Sequence, residues 1–236
     1  MRLLFLLMLF LAACAPPQAV SPAAVLPMPA APPVSTPVPY LALGDSYTIG
    51  EGAQPTDRWP MQLAALDRLG GGRLTDPDII ARTGWTTAEL QGAIAASGNH
   101  RTDYGLVSLL IGVNNQYRGQ PLETYRTELR QLLATAIAYA GGSSGRVVML
   151  SIPDWGQTPF ANGRDQNQIG LEIDAYNSVA QAECQRLGVA FVPITDLTRS
   201  AVGDASQFVL DGLHYSGPHM ARWAMRALPV VRGLLQ

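Results

Sequence analysis

The feature that most constrains the fold is a regular alternation of short apolar runs with longer amphipathic segments, which extends over residues 40–236. The apolar runs have the length of buried strands, and the segments between them have apolar residues at helical spacing. This alternation is typical of βαβ units around a mostly parallel sheet. The sequence therefore predicts one α/β domain with five strands, at residues 40–43, 78–81, 106–111, 146–152 and 189–194.

Periodicity and capping residues predict where the helices lie. Residues 122–140 carry most of their leucines on one stripe and most of their charges off it. Thr86 and Glu89 have the spacing of a capping box, which indicates a helix start. Two later helices are predicted at residues 173–187 and 216–235. No second linker divides the region, so the sequence predicts a single core.

The start of the chain has the composition of a targeting segment. Arg2 precedes an apolar run over residues 3–13, which is too short to span a bilayer and has the length of a secretory signal core. Small residues stand directly before Cys14, and this arrangement resembles the lipobox of bacterial lipoproteins. We therefore expect an exported protein with a signal at residues 1–13 and a lipid on Cys14. The alternative is secretion after cleavage at a nearby small-residue site.

A second composition change separates this segment from the predicted domain. Residues 14–39 contain nine of the 18 prolines of the chain and no charged residue. Such a segment favours a stiff polyproline-like tether over a helix or a core. If Cys14 is lipidated, the tether holds the domain of residues 40–236 away from a membrane surface.

Charge and cysteine content exclude several classes of protein. Only 14% of residues are charged and the formal net charge is −2, which argues against a nucleic-acid partner. Two cysteines cannot build a disulfide scaffold, and no second ligand cluster accompanies them, so we expect no metal and no organic cofactor. Cys184 lies in a predicted helix and is expected to be a small buried apolar residue.

Several residues with reactive or polar side chains lie on loops that leave the predicted strands or precede the last predicted helix, and the carboxyl ends of parallel strands are where open α/β sheets bind ligands. Ser46 follows the first strand in a glycine-flanked turn, where its hydroxyl and backbone N–H can reach one reacting atom. His214 is a candidate base for that hydroxyl, and Asp211, three residues earlier, can orient the imidazole. Gly84 follows the second strand and permits a close backbone approach to substrate. Asn114 follows the third strand and offers an amide donor.

Together, these segments resemble the blocks of the SGNH (GDSL-type) esterase and lipase family, which is named for Ser, Gly, Asn and His. The four residues occur in the family's order. The resemblance implies a three-layer α/β/α hydrolase with a flavodoxin-like sheet, which cleaves a small-molecule, glycan or lipid ester through an acyl-enzyme. It also implies an oxyanion hole of Ser46, Gly84 and Asn114, and a catalytic triad of Ser46, Asp211 and His214.

Two residues depart from the family pattern. Tyr47 stands where the first block usually has leucine, and Asn115 stands where the third block usually has aspartate. Neither departure removes a residue with assigned chemistry, but both weaken any transfer of a subfamily's substrate preference. The candidate substrate-lining residues are Tyr47, Trp85, Asn115, Tyr117, Trp155 and Phe160.

Two further residues compete for the catalytic roles. Ser143 lies in a Gly-x-Ser-x-Gly sequence, which is the nucleophile elbow of α/β-hydrolases, but it follows a predicted helix and precedes a strand. The elbow requires the order strand, turn, helix, so we interpret Ser143 as part of a connecting loop. His219 falls in the first turn of the last predicted helix, where we expect it at the surface.

Two alternatives to ester hydrolysis stay open from the sequence. One is a lipoprotein that binds a glycan or lipid in the same cleft without turnover. The other is an acyltransferase that uses the same acyl-enzyme. An intact set of catalytic side chains argues against the first, and the absence of an obvious lid in the sequence favours short acyl groups.

Overall fold

A computed structural model of the protein describes residues 36–236, so the predicted signal, Cys14 and most of the predicted tether lie outside the described residues. This part of the chain forms a three-layer α/β/α domain, as expected. Its central sheet has five strands close to the predicted positions: β1 Tyr40–Gly44, β2 Asp78–Ala81, β3 Leu106–Leu110, β4 Val147–Leu150 and β5 Ala190–Val192.

The five strands are parallel and lie in the flavodoxin-like order β2-β1-β3-β4-β5. Leu41 of β1 pairs with Asp78 of β2 on one side and with Val107 of β3 on the other. Strands β1, β3 and β4 are completely buried, which explains their continuous apolar sequences. From β1 the chain moves to β2 at one edge of the sheet and then returns past β1 to β3, β4 and β5 on the other side. A crevice therefore opens between the loops at the carboxyl ends of β1 and β3.

Helices cover both faces of the sheet. On one face α2 packs against α8, and on the other α5 packs against α3 and α6. The α-helices are α1 Ser46–Ile49, α2 Trp59–Leu69, α3 Thr87–Ala96, α4 Val113–Tyr117, α5 Leu122–Tyr139, α6 Gln166–Leu187, α7 Thr195–Arg199 and α8 Gly217–Leu234. Short 3₁₀ turns lie at Pro55–Asp57, Ser144–Arg146, Trp155–Gln157, Pro159–Ala161 and Ala205–Gln207.

The helix predicted at residues 173–187 begins earlier, at Gln166. Asp165 caps it, since its side chain accepts a hydrogen bond from the Gln168 N–H. The first turns of α6 are polar and therefore lack the apolar periodicity that the prediction used. Cys184 near the other end is fully buried against Met149, as expected, and burial raises the pKa of its thiol to about 12.

The last residues of the predicted tether already contact the domain. The Val38 N–H donates to the Arg73 carbonyl, and the Val38 carbonyl accepts from the Thr75 N–H. Val38 thereby forms a parallel bridge with Leu74, one residue before Pro39 interrupts the ladder. Within residues 36–236, no helix is long and apolar enough to cross a membrane.

The prediction that His219 lies at the surface is wrong. His219 is fully buried, stacks on the Tyr215 ring at 4.5 Å between centroids, and meets Trp223 edge-on. Its Nδ1 forms a 2.9 Å hydrogen bond with Gln207 Oε1. The loop before α8 folds back over the first turn of this helix, through a bridge between Phe208 and Tyr215, and so removes the His219 side chain from solvent.

This burial predicts a pH-dependent contribution to stability. Burial, with a smaller effect from Arg222, lowers the pKa of His219 from 6.5 to about 4. The unfolded chain therefore binds more protons at this residue than the folded chain between these pH values, and stability is lost as the pH falls. As the pH falls from 6.5 to 4, the wild-type protein should therefore lose about 3 kcal/mol more free energy of unfolding than the His219→Gln variant.

Urea unfolding of both proteins across this pH range measures the effect. The readout is the difference in free energy of unfolding between the two proteins. This difference is needed because burial raises the pKa of Asp45 to about 7, so that protonation of Asp45 stabilises both folded proteins as the pH falls. A difference that stays constant with pH would contradict this account of His219.

Candidate active site

A tight turn after β1 positions Ser46. Asp45 caps α1, since its Oδ1 accepts the Tyr47 N–H at 3.0 Å. Ser46 is the first residue of α1, so its own N–H has no partner within that helix. A Cβ on Gly44 would lie 2.1 Å from Thr48 Oγ1 and 2.5 Å from a backbone oxygen of β3. Only glycine permits this close approach, which explains the Gly-Asp-Ser sequence.

The Asp45 carboxyl is completely buried beside the serine. Burial raises its pKa to about 7, although the hydrogen bond from the Tyr47 N–H acts in the opposite direction. Its second oxygen, Oδ2, has no hydrogen-bond partner among residues 36–236. The group acts locally as a cap and lies behind the turn that presents Ser46.

The structure brings together three residues predicted to act in hydrolysis. His214 Nε2 lies 2.9 Å from Ser46 Oγ, and His214 Nδ1 lies 2.6 Å from Asp211 Oδ2. The other carboxylate oxygen of Asp211 accepts the backbone N–H groups of Leu213 and His214. Partial burial opposes ionisation of Asp211, but these hydrogen bonds outweigh it and hold its pKa below the ordinary value. An ionised Asp211 accepts a hydrogen bond from the His214 Nδ1–H, and this tautomer directs the Nε2 lone pair toward Ser46.

A short hairpin-like loop holds the imidazole. The Val209 N–H donates to the His214 carbonyl at 2.9 Å, and Phe208 and Tyr215 form the antiparallel bridge below it. The Tyr47 ring packs 5.3 Å from the imidazole and 5.9 Å from the Tyr215 ring, measured between centroids. The residue that departs from the family's leucine therefore supports His214 and anchors its loop.

The two other predicted donors lie on neighbouring loops that are tied together. Gly84 has a φ of +84°, which favours glycine, and Asn114 is the second residue of α4. Asn114 Nδ2 donates to the Trp85 carbonyl at 2.9 Å. Arg118 donates to the Gly84 carbonyl at 2.5 Å and forms an ion pair with Glu89 at 3.1 Å. A local sequence pattern does not indicate this role, because the partners of Arg118 lie 34 and 29 residues earlier, one before α3 and one in its first turn.

Asn115, by contrast, lies outside the pocket lining. It is completely buried, where its Oδ1 accepts the Thr87 N–H at 3.1 Å and its Nδ2 donates to the Thr87 hydroxyl. Nδ2 also lies 3.4 Å from a Glu128 carboxylate oxygen. An aspartate could not donate to these oxygens and would repel Glu128, which explains the asparagine. Trp85, also expected in the lining, contributes its carbonyl and packs against the core.

A pocket of about 210 Å³ opens beside the serine hydroxyl. The rings of Tyr117, Trp155 and Phe160 form one wall, with 5.2 Å between the first two centroids and 6.2 Å between the last two. The sequence does not predict that the lining also includes Thr83, Val113 and Leu213, since aliphatic and hydroxyl side chains are common throughout a domain and do not indicate a pocket. The lining residues are Ser46, Tyr47, Thr83, Gly84, Val113, Asn114, Tyr117, Trp155, Phe160, Leu213 and His214.

The remaining candidates lie elsewhere. Ser143 precedes the 3₁₀ turn Ser144–Arg146, which leads into β4, so it lies at the amino-terminal edge of the sheet, opposite Ser46. Residues 36–236 contain no group of His, Cys, Asp or Glu side chains that could hold a metal ion. The chemistry available in the pocket is that of a hydroxyl, an imidazole and hydrogen-bond donors.

Comparisons with solved structures identify related folds. TesA has a TM-score of 0.64 and 20% identity, over 83% of this chain and 99% of that chain. The lipase/acylhydrolase from Enterococcus faecalis has a TM-score of 0.63 and 19% identity, over 84% and 97%. Axe2, an acetylxylan esterase from Geobacillus stearothermophilus, has a TM-score of 0.62 and 17% identity, over 82% and 94%. These likenesses establish a shared fold.

A comparison with curated proteins finds no match. The model of the GDSL-like Lipase/Acylhydrolase family matches residues 42–218, which include all four block residues. This match extends over most of the chain, and the order of the five strands agrees with it. The chain therefore belongs to the GDSL-like lipase/acylhydrolase family, the SGNH-type hydrolases that its sequence resembles.

Proposed function

We propose that the protein is a serine hydrolase that cleaves carboxylic esters through an acyl-enzyme. The observation that carries this proposal is the continuous hydrogen-bonded series from Ser46 Oγ through His214 to Asp211, at the edge of a pocket. A nucleophile, a base and an orienting acid within hydrogen-bond distance are what acyl transfer by serine requires.

In the proposed first step, Ser46 Oγ attacks the ester carbonyl carbon while His214 Nε2 accepts the hydroxyl proton. The tetrahedral intermediate then collapses, the bond to the alcohol breaks, and His214 returns the proton to the leaving oxygen. Water repeats the sequence on the acyl-enzyme and releases the carboxylic acid. Asp211 accepts a hydrogen bond from Nδ1 throughout, which maintains the productive tautomer and stabilises the imidazolium.

Three donors are proposed to bind the oxyanion. They are the Ser46 N–H, the Gly84 N–H and the Asn114 side-chain amide, all from residues that line the pocket. The contact of Arg118 with the Gly84 carbonyl and that of Asn114 with the Trp85 carbonyl restrict the loop that carries Gly84. Donors fixed before the reaction need little reorganisation, which is the main source of their catalytic effect.

The size of the pocket supports a short acyl group. Its volume of about 210 Å³ is below the roughly 300–1,000 Å³ that is usual for sites of larger ligands. The buried ring of Trp155, which donates to Gln116 Oε1 at 2.7 Å, limits its depth. Axe2, which shares the fold, is an acetylxylan esterase, and acetyl is the smallest common acyl group of this kind.

We also propose that the domain acts outside the cytoplasm on a lipid anchor. Support comes from Arg2, the apolar run of residues 3–13 and the small residues before Cys14. The proline-rich residues 15–35 would separate the anchor from the domain. Mass spectrometry of the mature amino terminus, with and without Cys14→Ser, tests this proposal.

The assignment of the nucleophile predicts the behaviour of Ser46→Ala. This variant should lose labelling by a fluorophosphonate, and its kcat/KM for 4-nitrophenyl acetate should fall by roughly 10⁴-fold or more. The matched control is Ser143→Ala, which removes the serine of the Gly-x-Ser-x-Gly sequence and should retain both activities. Full labelling of Ser46→Ala would contradict the assignment, and a folded wild-type protein that turns over no ester would favour a binding function.

The pocket volume predicts a dependence on acyl length. Across 4-nitrophenyl acetate, butyrate, hexanoate and octanoate, kcat/KM should be highest for acetate or butyrate and roughly tenfold lower for octanoate, because longer chains leave the pocket. Phe160→Ala should reduce this difference by widening the mouth of the pocket, since Phe160 is exposed whereas its neighbour Trp155 in the aromatic wall is buried. A maximum at octanoate in the wild-type protein would contradict the proposed short-acyl preference.

A further inference from the structure

We propose that Arg164 binds a carboxylate of the substrate, and that the preferred ester therefore carries this anionic group away from its scissile bond. The inference rests on the proposed ester hydrolysis and adds a substrate class to it. Arg164 is exposed in the turn between the 3₁₀ segment Pro159–Ala161 and α6. It is not part of the triad or of the proposed oxyanion hole.

The position of Arg164 links it to the pocket. Its guanidinium carbon lies 5.1 Å from the Phe160 ring centroid, 5.3 Å from that of Trp155 and 5.5 Å from that of Tyr117. These are the three rings that form the aromatic wall of the pocket. Arg164 borders these rings without itself lining the pocket. A substrate with its ester at Ser46 and its body along this wall would reach the guanidinium where the body leaves the pocket.

The charge of Arg164 is not balanced by a side chain. Its Nη2 donates to the Tyr117 hydroxyl at 3.4 Å, and among residues 36–236 no carboxylate forms an ion pair with it. Arg118, another arginine near the pocket, differs because its Nη1 pairs with Glu89 and its Nη2 donates to the Gly84 carbonyl. Arg164 thus carries the positive charge and the free donors at this end of the pocket.

The chemistry of the guanidinium indicates what it binds. Contact with aromatic rings orients its plane and leaves N–H groups at its edge, and this fork matches the two oxygens of a carboxylate. The carboxylate could belong to the alcohol portion of the ester, as in an acylated uronic acid, or to the acyl portion, as in a half-ester of a dicarboxylic acid. The shared requirement is a carboxylate separated from the reacting carbonyl by the length of the aromatic wall.

Matched pairs of esters test this proposal. On the alcohol side, 3-acetoxybenzoate is compared with 3-acetoxybenzamide. On the acyl side, monoethyl adipate is compared with its terminal amide. In each pair, kcat/KM for the acid is divided by kcat/KM for the amide. This ratio is then divided by the ratio of the two hydroxide-catalysed hydrolysis rates, which removes the difference in intrinsic reactivity. For the wild-type protein the corrected ratio should be roughly tenfold in at least one pair and should decrease as salt is added.

Variants assign the preference to Arg164. Arg164→Gln should reduce the ratio about tenfold, Arg164→Glu should reduce it further, and Arg164→Lys should retain part of it. The matched control is Arg101→Gln, because Arg101 also lies over a ring, that of Tyr104 at 4.3 Å, but precedes β3 at the opposite edge of the sheet. Its ratio should equal that of the wild type.

The outcomes separate this inference from the proposed function. Two results would overturn the role of Arg164 and leave ester hydrolysis intact. One is turnover of both amides with a corrected ratio near one in both pairs, and the other is a corrected ratio that Arg164→Glu does not change. If the wild-type protein hydrolyses neither these esters nor 4-nitrophenyl acetate, the proposed function itself is contradicted. A preference in either pair that disappears in Arg164→Gln supports the inference and identifies the side that carries the anion.

Discussion

The hydrogen bond between Ser46 Oγ and His214 Nε2 joins residues 168 positions apart, and the rest of the site depends on it. It forms because the sheet order opens a crevice at the carboxyl ends of β1 and β3. Ser46 follows β1 into this crevice, and the loop before α8 brings His214 to the same place. The close approach of Gly44 to β3 sets the position of the serine, and the contact of Tyr47 with His214 sets that of the imidazole. One tight turn thus supplies both the hydroxyl and the side chain that supports the imidazole beside it.

Buried polar groups give this arrangement its rigidity. His219, bonded to Gln207 and stacked on Tyr215, fixes the base of the loop that carries His214. On the other side of the pocket, Asn115 joins α4 to the start of α3 through Thr87. An unpaired buried polar group is costly, so each of these contacts restricts a loop to one position more strictly than apolar packing alone would.

Much of the fold could be predicted from the sequence, because strands buried on both faces have continuous apolar runs and Thr86 forms the predicted capping box. The proximity of Ser46, Asp211 and His214 could also be predicted, since strand-end loops meet at one edge of the sheet. The burial of His219 could not, because it depends on a loop that folds over the first turn of α8. The position of Arg164 over the pocket rings likewise comes from tertiary packing, which a local pattern does not record.

The central claim is that the Ser46 hydroxyl and three donors converge on one reacting carbonyl. A crystal structure of the protein after reaction with a short alkyl phosphonate tests it most directly, since the phosphonyl oxygen occupies the place of the oxyanion. The account predicts phosphorus bonded to Ser46 Oγ, with one oxygen within hydrogen-bond distance of the Ser46 N–H, the Gly84 N–H and Asn114 Nδ2. An adduct on another residue, or an adduct on Ser46 whose oxygens contact none of these donors, would contradict it.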